Sequence, residues 1–294
     1  MNTGRGLTAV TGLTLLLVAL ILAMPVATVS MQGDPASGVL TADAGAVVGE
    51  ISPYVYGANF GPLSVVSVDL FEAAQNSGIT FLRFPGGRWG DLNDMRPFHI
   101  DMYMSVVELM GVEPSIHVRL ENGTPEAAAE LVRYCNIEND YNVRFWYIGN
   151  EPTLFDDYTT DDLNREWRAI AEAMLAVDPD IILIGPEPHQ WNGTTVTPDD
   201  AAGRDFTEEF LRANGDLVDV VAVHRYPFPA SAANPVTSIE DLRENAPEWS
   251  EILPRLRALI EETTGRTDLP VAVTEANSHW SGNANGEATP DSHY

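Results

Sequence analysis

The chain has 294 residues, 45% hydrophobic and 20% charged, which is enough apolar material for one large core or two small ones and is not the composition of a disordered chain. Its 43 acidic residues against 16 basic ones, all of them arginine, give a formal charge of −27, so a polyanion such as nucleic acid would be repelled and is excluded as a partner. Cys135 is the single cysteine, which excludes an internal disulfide and a cysteine-based zinc site. It falls in an apolar helical pattern, where a buried, inert thiol is expected.

Arg5 precedes an apolar run from Leu7 to about Val29, wholly aliphatic from Leu15 to Ala23. Residues 1–30 read as an export signal or, left uncleaved, as an N-terminal membrane anchor, and both place the rest of the chain outside the cytoplasm. Residues 31–49, rich in Gly, Ala, Ser and Asp, read as a linker, and 50–294 as the folded domain.

From Ile51 onward, short β-branched or aromatic runs alternate with longer amphipathic stretches, the pattern of βα units on a parallel sheet. The first predicted strand is Tyr54–Phe60, followed by a helical pattern over Leu63–Asn76 and a second strand, Ile79–Phe84. Pro114–Arg119 is the third strand, and Thr124–Asn136 the helix after it, with Thr124 as N-cap and Pro125 in the first helical position. The fourth strand, Val143–Gly149, precedes a helix over Asp161–Ala176, and the fifth, Ile181–Gly185, one over Phe206–Ala213. There Asp205, with Glu208 three residues on, resembles a capping box. Val218–His224, a helix over Glu248–Thr263 and Pro270–Thr274 complete the series. The segment Pro227–Pro247 either walls one end of a cleft or wanders.

Repeated βα units build either an open doubly wound sheet or a closed barrel. The first turn, Gly57-Ala58-Asn59-Phe60-Gly61-Pro62, lacks the glycine spacing of a dinucleotide site. Polar residues suited to chemistry instead sit at the C-terminal ends of several strands, as on the top face of a TIM (β/α)8 barrel. Seven strands are recognisable, and Ala276–Tyr294 holds no eighth. The expectation is an incomplete barrel whose C-terminal end is missing, or one that another segment closes.

The fourth strand delivers Asn150, Glu151 and Pro152, and the seventh delivers Glu275, Ala276 and Asn277. Two carboxylates projected from strand ends across one barrel mouth are the equipment for glycosidic bond cleavage: one protonates the departing oxygen, the other attacks the anomeric carbon or activates water. No Gly-x-Ser-x-Gly elbow is present, and the six histidines form no metal-binding pattern, so no metal or cofactor is expected.

Gly149-Asn150-Glu151-Pro152 and Val273-Thr274-Glu275-Ala276 resemble glycoside hydrolase clan A, the TIM-barrel retaining glycosidases, in order, strand number and flanking residues. Ile51–Asn59 and Leu82-Arg83-Phe84-Pro85-Gly86-Gly87 are similar to the first two strands of arabinofuranosidases, family 44 endoglucanases and family 39 xylosidases. The resemblance runs from Ile51 to about Trp280. It implies Glu151 as general acid/base, Glu275 as nucleophile, Arg83 holding the nucleophile ionised, and Asn150 on the sugar hydroxyl beside the reacting carbon. It also implies that His224 and Tyr226, two residues apart at the end of the sixth strand, lie beside the carboxylates. Retention requires carboxyl groups about 5–5.5 Å apart.

Glu187 and His189 are candidate subsite residues, and Trp89, Trp191 and above all Trp280 are candidate sugar platforms, since indole faces stack on sugar rings. His117 is equally consistent with the core. The implied partner is an oligosaccharide or polysaccharide of plant type; arabinofuranosides, β-xylosides and β-1,4-glucans stay open, as does exo against endo cleavage. The competing readings are a non-catalytic carbohydrate-binding protein on the same scaffold and, more distantly, the sugar-binding component of a transporter.

Overall fold

The computed structural model describes residues 42–47, 49–62, 64–228 and 239–277. Residues 1–30 and most of 31–49 lie outside the described residues, so the export-signal, anchor and linker readings do too; among the described residues no helix is long and apolar enough to cross a membrane.

Seven strands pair in parallel and in chain order: β1 (Gly57–Asn59), β2 (Phe81–Phe84), β3 (Glu113–Val118), β4 (Phe145–Ile148), β5 (Ile182–Pro186), β6 (Val220–Arg225) and β7 (Val271–Ala276). They form a nearly closed barrel with no eighth strand among the described residues. The Asn59 Nδ2 of β1 donates to the Thr274 carbonyl of β7 at 3.3 Å, so one side chain links the two end strands at the mouth.

Side chains alternate between two cores, as the two-residue period of a strand requires. Phe145 and Tyr147 of β4, Ile184 of β5 and Ala222 of β6 fill the barrel interior, while their neighbours Trp146, Ile148, Leu183, Val221 and Val223 face the surrounding helices. Tyr54 closes the lower end, its ring 5.0 Å from Phe145 and 5.8 Å from Phe81. By the same alternation Arg83 of β2 and His224 of β6 point inward, above this apolar floor.

The longer helices largely follow the predicted pattern, with departures. Thr160–Leu175, Phe206–Asn214 and Trp249–Thr264 lie within two residues of expectation, and Thr124 caps Pro125–Val132 by accepting from the Ala127 amide. The pattern over Leu63–Asn76 yields only a short 3-10 turn, Val68–Leu70, and the helix Phe71–Gln75. Asp205 caps its helix through the Thr207 and Glu208 amides, but Glu208 makes no reciprocal bond and pairs with Arg212 instead. A 14-residue helix, Pro97–Met110, had no counterpart in the sequence reading. Cys135 is fully buried, and burial and then the Asp101 charge push its thiol up to about 12, so it is inert.

Candidate active site

Arg83 organises the barrel mouth. Its guanidinium is 2% exposed and donates to four side chains: Nη1 to Asn59 Oδ1 (3.0 Å) and Glu275 Oε1 (2.7 Å), Nη2 to Asn150 Oδ1 (2.7 Å) and Glu187 Oε2 (2.6 Å). Its Cζ lies 4.2 Å from the centre of the Tyr147 ring, which supports the cation from inside the barrel. Burial works against the guanidinium's charge, yet Glu187, Tyr147 and Glu275 outweigh it and hold the group protonated.

Glu275 reaches this network through a bulge. The β6–β7 register runs Val223 to Val273 but His224 to Glu275, leaving Thr274 as the extra residue. Straight alternation from Ala272 would have pointed Thr274 inward; the bulge re-aims Glu275 to the His224 side. Its two oxygens are then taken by Arg83 and by the Tyr226 hydroxyl, which donates to Oε2 at 2.7 Å. Burial raises the Glu275 pKa, but His224, Arg83 and the Tyr226 hydrogen bond outweigh burial and hold it below the usual carboxylate range.

Glu151 stands opposite with a different environment. It follows Gly149 and Asn150 at the end of β4 in the left-handed region, at φ 49°, a conformation uncommon for a residue with a Cβ and found disproportionately at functional sites. Its amide donates to the Glu187 carbonyl (3.1 Å), and its Oε1 lies 3.0 Å from Nδ1 of the fully buried His224. The Glu151 side chain is 19% exposed against 10% for Glu275, so the former has the freer access to water. Asn150 is fixed on two sides, its amide donating to Asp91 Oδ2 (2.8 Å) and its Oδ1 accepting from Arg83, which leaves its Nδ2 as a donor with no partner among the described residues.

One oxygen each of Glu151 and Glu275 and one nitrogen of His224 lie within 4.8 Å of one another. Three such atoms match a metal site in number, but the Glu275 oxygens are already committed to Arg83 and Tyr226, and a divalent ion there would face the buried Arg83 cation. The trio fits carboxylate chemistry better. The nearest oxygens of the two carboxylates thus lie within 4.8 Å, close enough for both groups to act on one glycosidic bond.

Solved structures share this barrel. Over 77% of the chain it superposes on 54% of the family 51 arabinofuranosidase from Xanthomonas axonopodis pv. citri (TM-score 0.62, 16% identity). Over 78% it superposes on 67% of the family 44 endoglucanase from Clostridium thermocellum (TM-score 0.56, 17% identity). In sequence, the chain is 27% identical over 192 residues to alpha-L-arabinofuranosidase C of Emericella nidulans, covering 48% of this chain and 38% of that protein. The chain shares its barrel fold with these family 51 and family 44 structures. The chain thus spans well under half the length of this curated relative. No family model matches the sequence.

At the barrel mouth the structure brings together Arg83, Asn150, Glu151, His224, Tyr226 and Glu275, six residues singled out from the sequence. Trp280 lies outside the described residues. Two other readings change. Glu187 is fully buried and cannot touch a sugar; it is the ion-pair partner of Arg83. Trp191 is 2% exposed, packed in the core and closed off as a platform. His117 is likewise core, its ring 5.1 Å from Tyr147 and its Nε2 3.3 Å from Asp91 Oδ2. His189, part-buried, has Nδ1 2.6 Å from the Thr153 hydroxyl, and Trp89 is half-buried at the start of the one-turn helix Trp89–Leu92. Asn59 and Tyr147, both on Arg83, were not singled out from the sequence.

Proposed function

We propose that the chain carries the catalytic centre of a retaining glycosidase acting on plant-type polysaccharides or oligosaccharides outside the cytoplasm, with alpha-L-arabinofuranosides as the first substrates to test. The observation that carries this reading is the asymmetry of the two close carboxylates. Glu275 is held ionised by His224, Arg83 and Tyr226, as a nucleophile must be, while Glu151 is more exposed and meets His224 Nδ1 instead of an arginine. The choice among sugars rests on the names of the relatives, which include an intracellular exo-alpha-(1->5)-L-arabinofuranosidase of Streptomyces lividans that is 24% identical over 205 residues.

In the first step Glu275 attacks the anomeric carbon as Glu151 gives its proton to the leaving oxygen. In the second, Glu151 takes a proton from water, which displaces Glu275 and releases the sugar with retained configuration. Asn150, pinned by Arg83 and Asp91, presents its Nδ2 to the hydroxyl next to the reacting carbon. His224 Nδ1 keeps Glu151 oriented through both of its protonation states. The sum is double displacement with no cofactor in any step.

The test is Glu151→Ala on aryl glycosides. A substrate with a poor leaving group should lose about 100-fold or more in kcat/KM, one with a good leaving group much less, and added azide should speed the second step and give a glycosyl azide of retained configuration. Equal loss on both substrates with no azide product would overturn the assignment. The pH profile gives a second check. Because the Glu275 pKa is depressed, the ionised form persists as pH falls, and the acid limb of kcat/KM should have an apparent pKa below 4.5, the ordinary value for this carboxyl. A carbohydrate-binding protein on this scaffold would bind sugar and show no turnover at any pH.

A further inference from the structure

We propose that the cleft between the loops after β2 and β3 binds a carboxylate-bearing sugar, a uronosyl unit of the saccharide presented to Glu151 and Glu275. This deepens the glycosidase reading and rests on it. The cleft holds about 430 Å³ and opens on the catalytic face, with Trp89 just past β2 and Arg119 just past β3. It is braced to the site through Asp91, whose Oδ1 accepts the Leu120 and Glu121 amides and whose Oδ2 accepts the Asn150 amide, one residue from Glu151.

Local charge decides where this chain can hold an anion. On a chain of formal charge −27, an anion can be held only where a cation is not already spent on a neighbouring carboxylate. Among the described residues just two arginines, Arg96 and Arg257, have no carboxylate within 4.0 Å. Arg96 lines this cleft, exposed.

Arg119 lines it too. Its Nε donates to the Glu121 carbonyl (2.8 Å) and its Nη1 to Asp94 (2.9 Å), leaving Nη2 uncommitted. Asp94 is the opposing charge, so the cleft carries one net positive charge. His99 adds a neutral donor. Its Nδ1 accepts from the Arg96 amide at 3.1 Å, which places its proton on Nε2, and burial and then the Arg96 charge hold the ring below its ordinary pKa.

The apolar walls complete the match to a sugar. Trp89 is half-buried, and Leu92 (60%) and Phe98 (54%) are exposed beside it. Exposed apolar faces next to guanidinium groups suit a ring with C–H faces and one carboxylate, since arginine meets carboxylate through paired N–H donors. A neutral sugar would leave Arg96 unused.

The experiment measures binding by calorimetry to the Glu275→Ala chain, which cannot consume its ligand. The probes are a glucuronosyl-branched xylo-oligosaccharide and the same compound with its carboxyl reduced to the alcohol. The acidic form should bind about tenfold tighter in low salt, with the preference shrinking in 0.5 M salt, roughly as screening of a partly exposed pair requires. Adding Arg96→Gln should cut the preference below about twofold, and adding Asp94→Asn should widen it. Equal affinity for the two probes, no binding of either, or a preference that survives Arg96→Gln would overturn the proposal. Aryl glycoside turnover by the parent chain is the separate check: its absence counts against the glycosidase reading, whereas the probe preference tests the cleft by itself.

Discussion

Glu275→Ala is expected to lower turnover of aryl glycosides by about four orders of magnitude or more, because it removes the atom that forms the covalent intermediate. The loss should not be a folding defect. Arg83 keeps Glu187, Asn150 and Asn59 as acceptors, and the Tyr226 hydroxyl loses only a bond at the partly open mouth. Unfolding by denaturant should therefore give a midpoint close to that of the parent. Azide makes the assignment stereochemical. In Glu275→Ala it fills the vacated space and attacks the anomeric carbon directly, giving a glycosyl azide of inverted configuration, opposite to the Glu151→Ala product. A variant that keeps activity within tenfold, or gives azide products of one configuration from both variants, would remove Glu275 from the nucleophile's role.

The contrast between these two carboxylates was only half legible in the sequence. Strand order and the parallel sheet follow from the alternation of strand and helix patterns, and the inward direction of Arg83 and His224 from the two-residue period of strand side chains. The same rule misplaces Glu275. Counted from Ala272, it points at the helices, and only the bulge at Thr274 turns it inward. Local pattern carries no mark of that bulge. Glu187 was a similar loss: its partner Arg83 lies 104 positions away, so nothing near it told a buried ion pair from a sugar contact.

The helix Pro97–Met110 escaped for another reason. Its buried residues, His99, Ile100, Tyr103 and Val107, have helical spacing, yet Phe98 and Met102 are exposed and blur the stripe. Arg96 supplies no side-chain cap to announce the start. The signal that remained was Pro97 in the first turn.

The largest effect on stability should come from Arg83→Met. This change takes the guanidinium from a carboxylate, Glu187, whose side chain is 1% exposed, and leaves that charge buried with only His224 Nε2, 3.9 Å away, in place of the arginine. Breaking one side of such a pair costs about 3–5 kcal/mol, far more than the pair contributes when intact, since its attraction is offset by desolvation of both ions. Glu187→Gln in the same chain should recover a large part of the loss, because a neutral amide needs no counter-ion. Denaturant unfolding of the parent, both single variants and the double variant closes the cycle. If Arg83→Met costs under about 1 kcal/mol, or if adding Glu187→Gln deepens the loss, the pair does not hold the mouth together in the way described. Activity need not follow stability in this series. The double variant can regain its fold and still lack the cation that keeps Glu275 ionised, so its acid limb should move to higher pH than the parent's while its unfolding midpoint returns toward it.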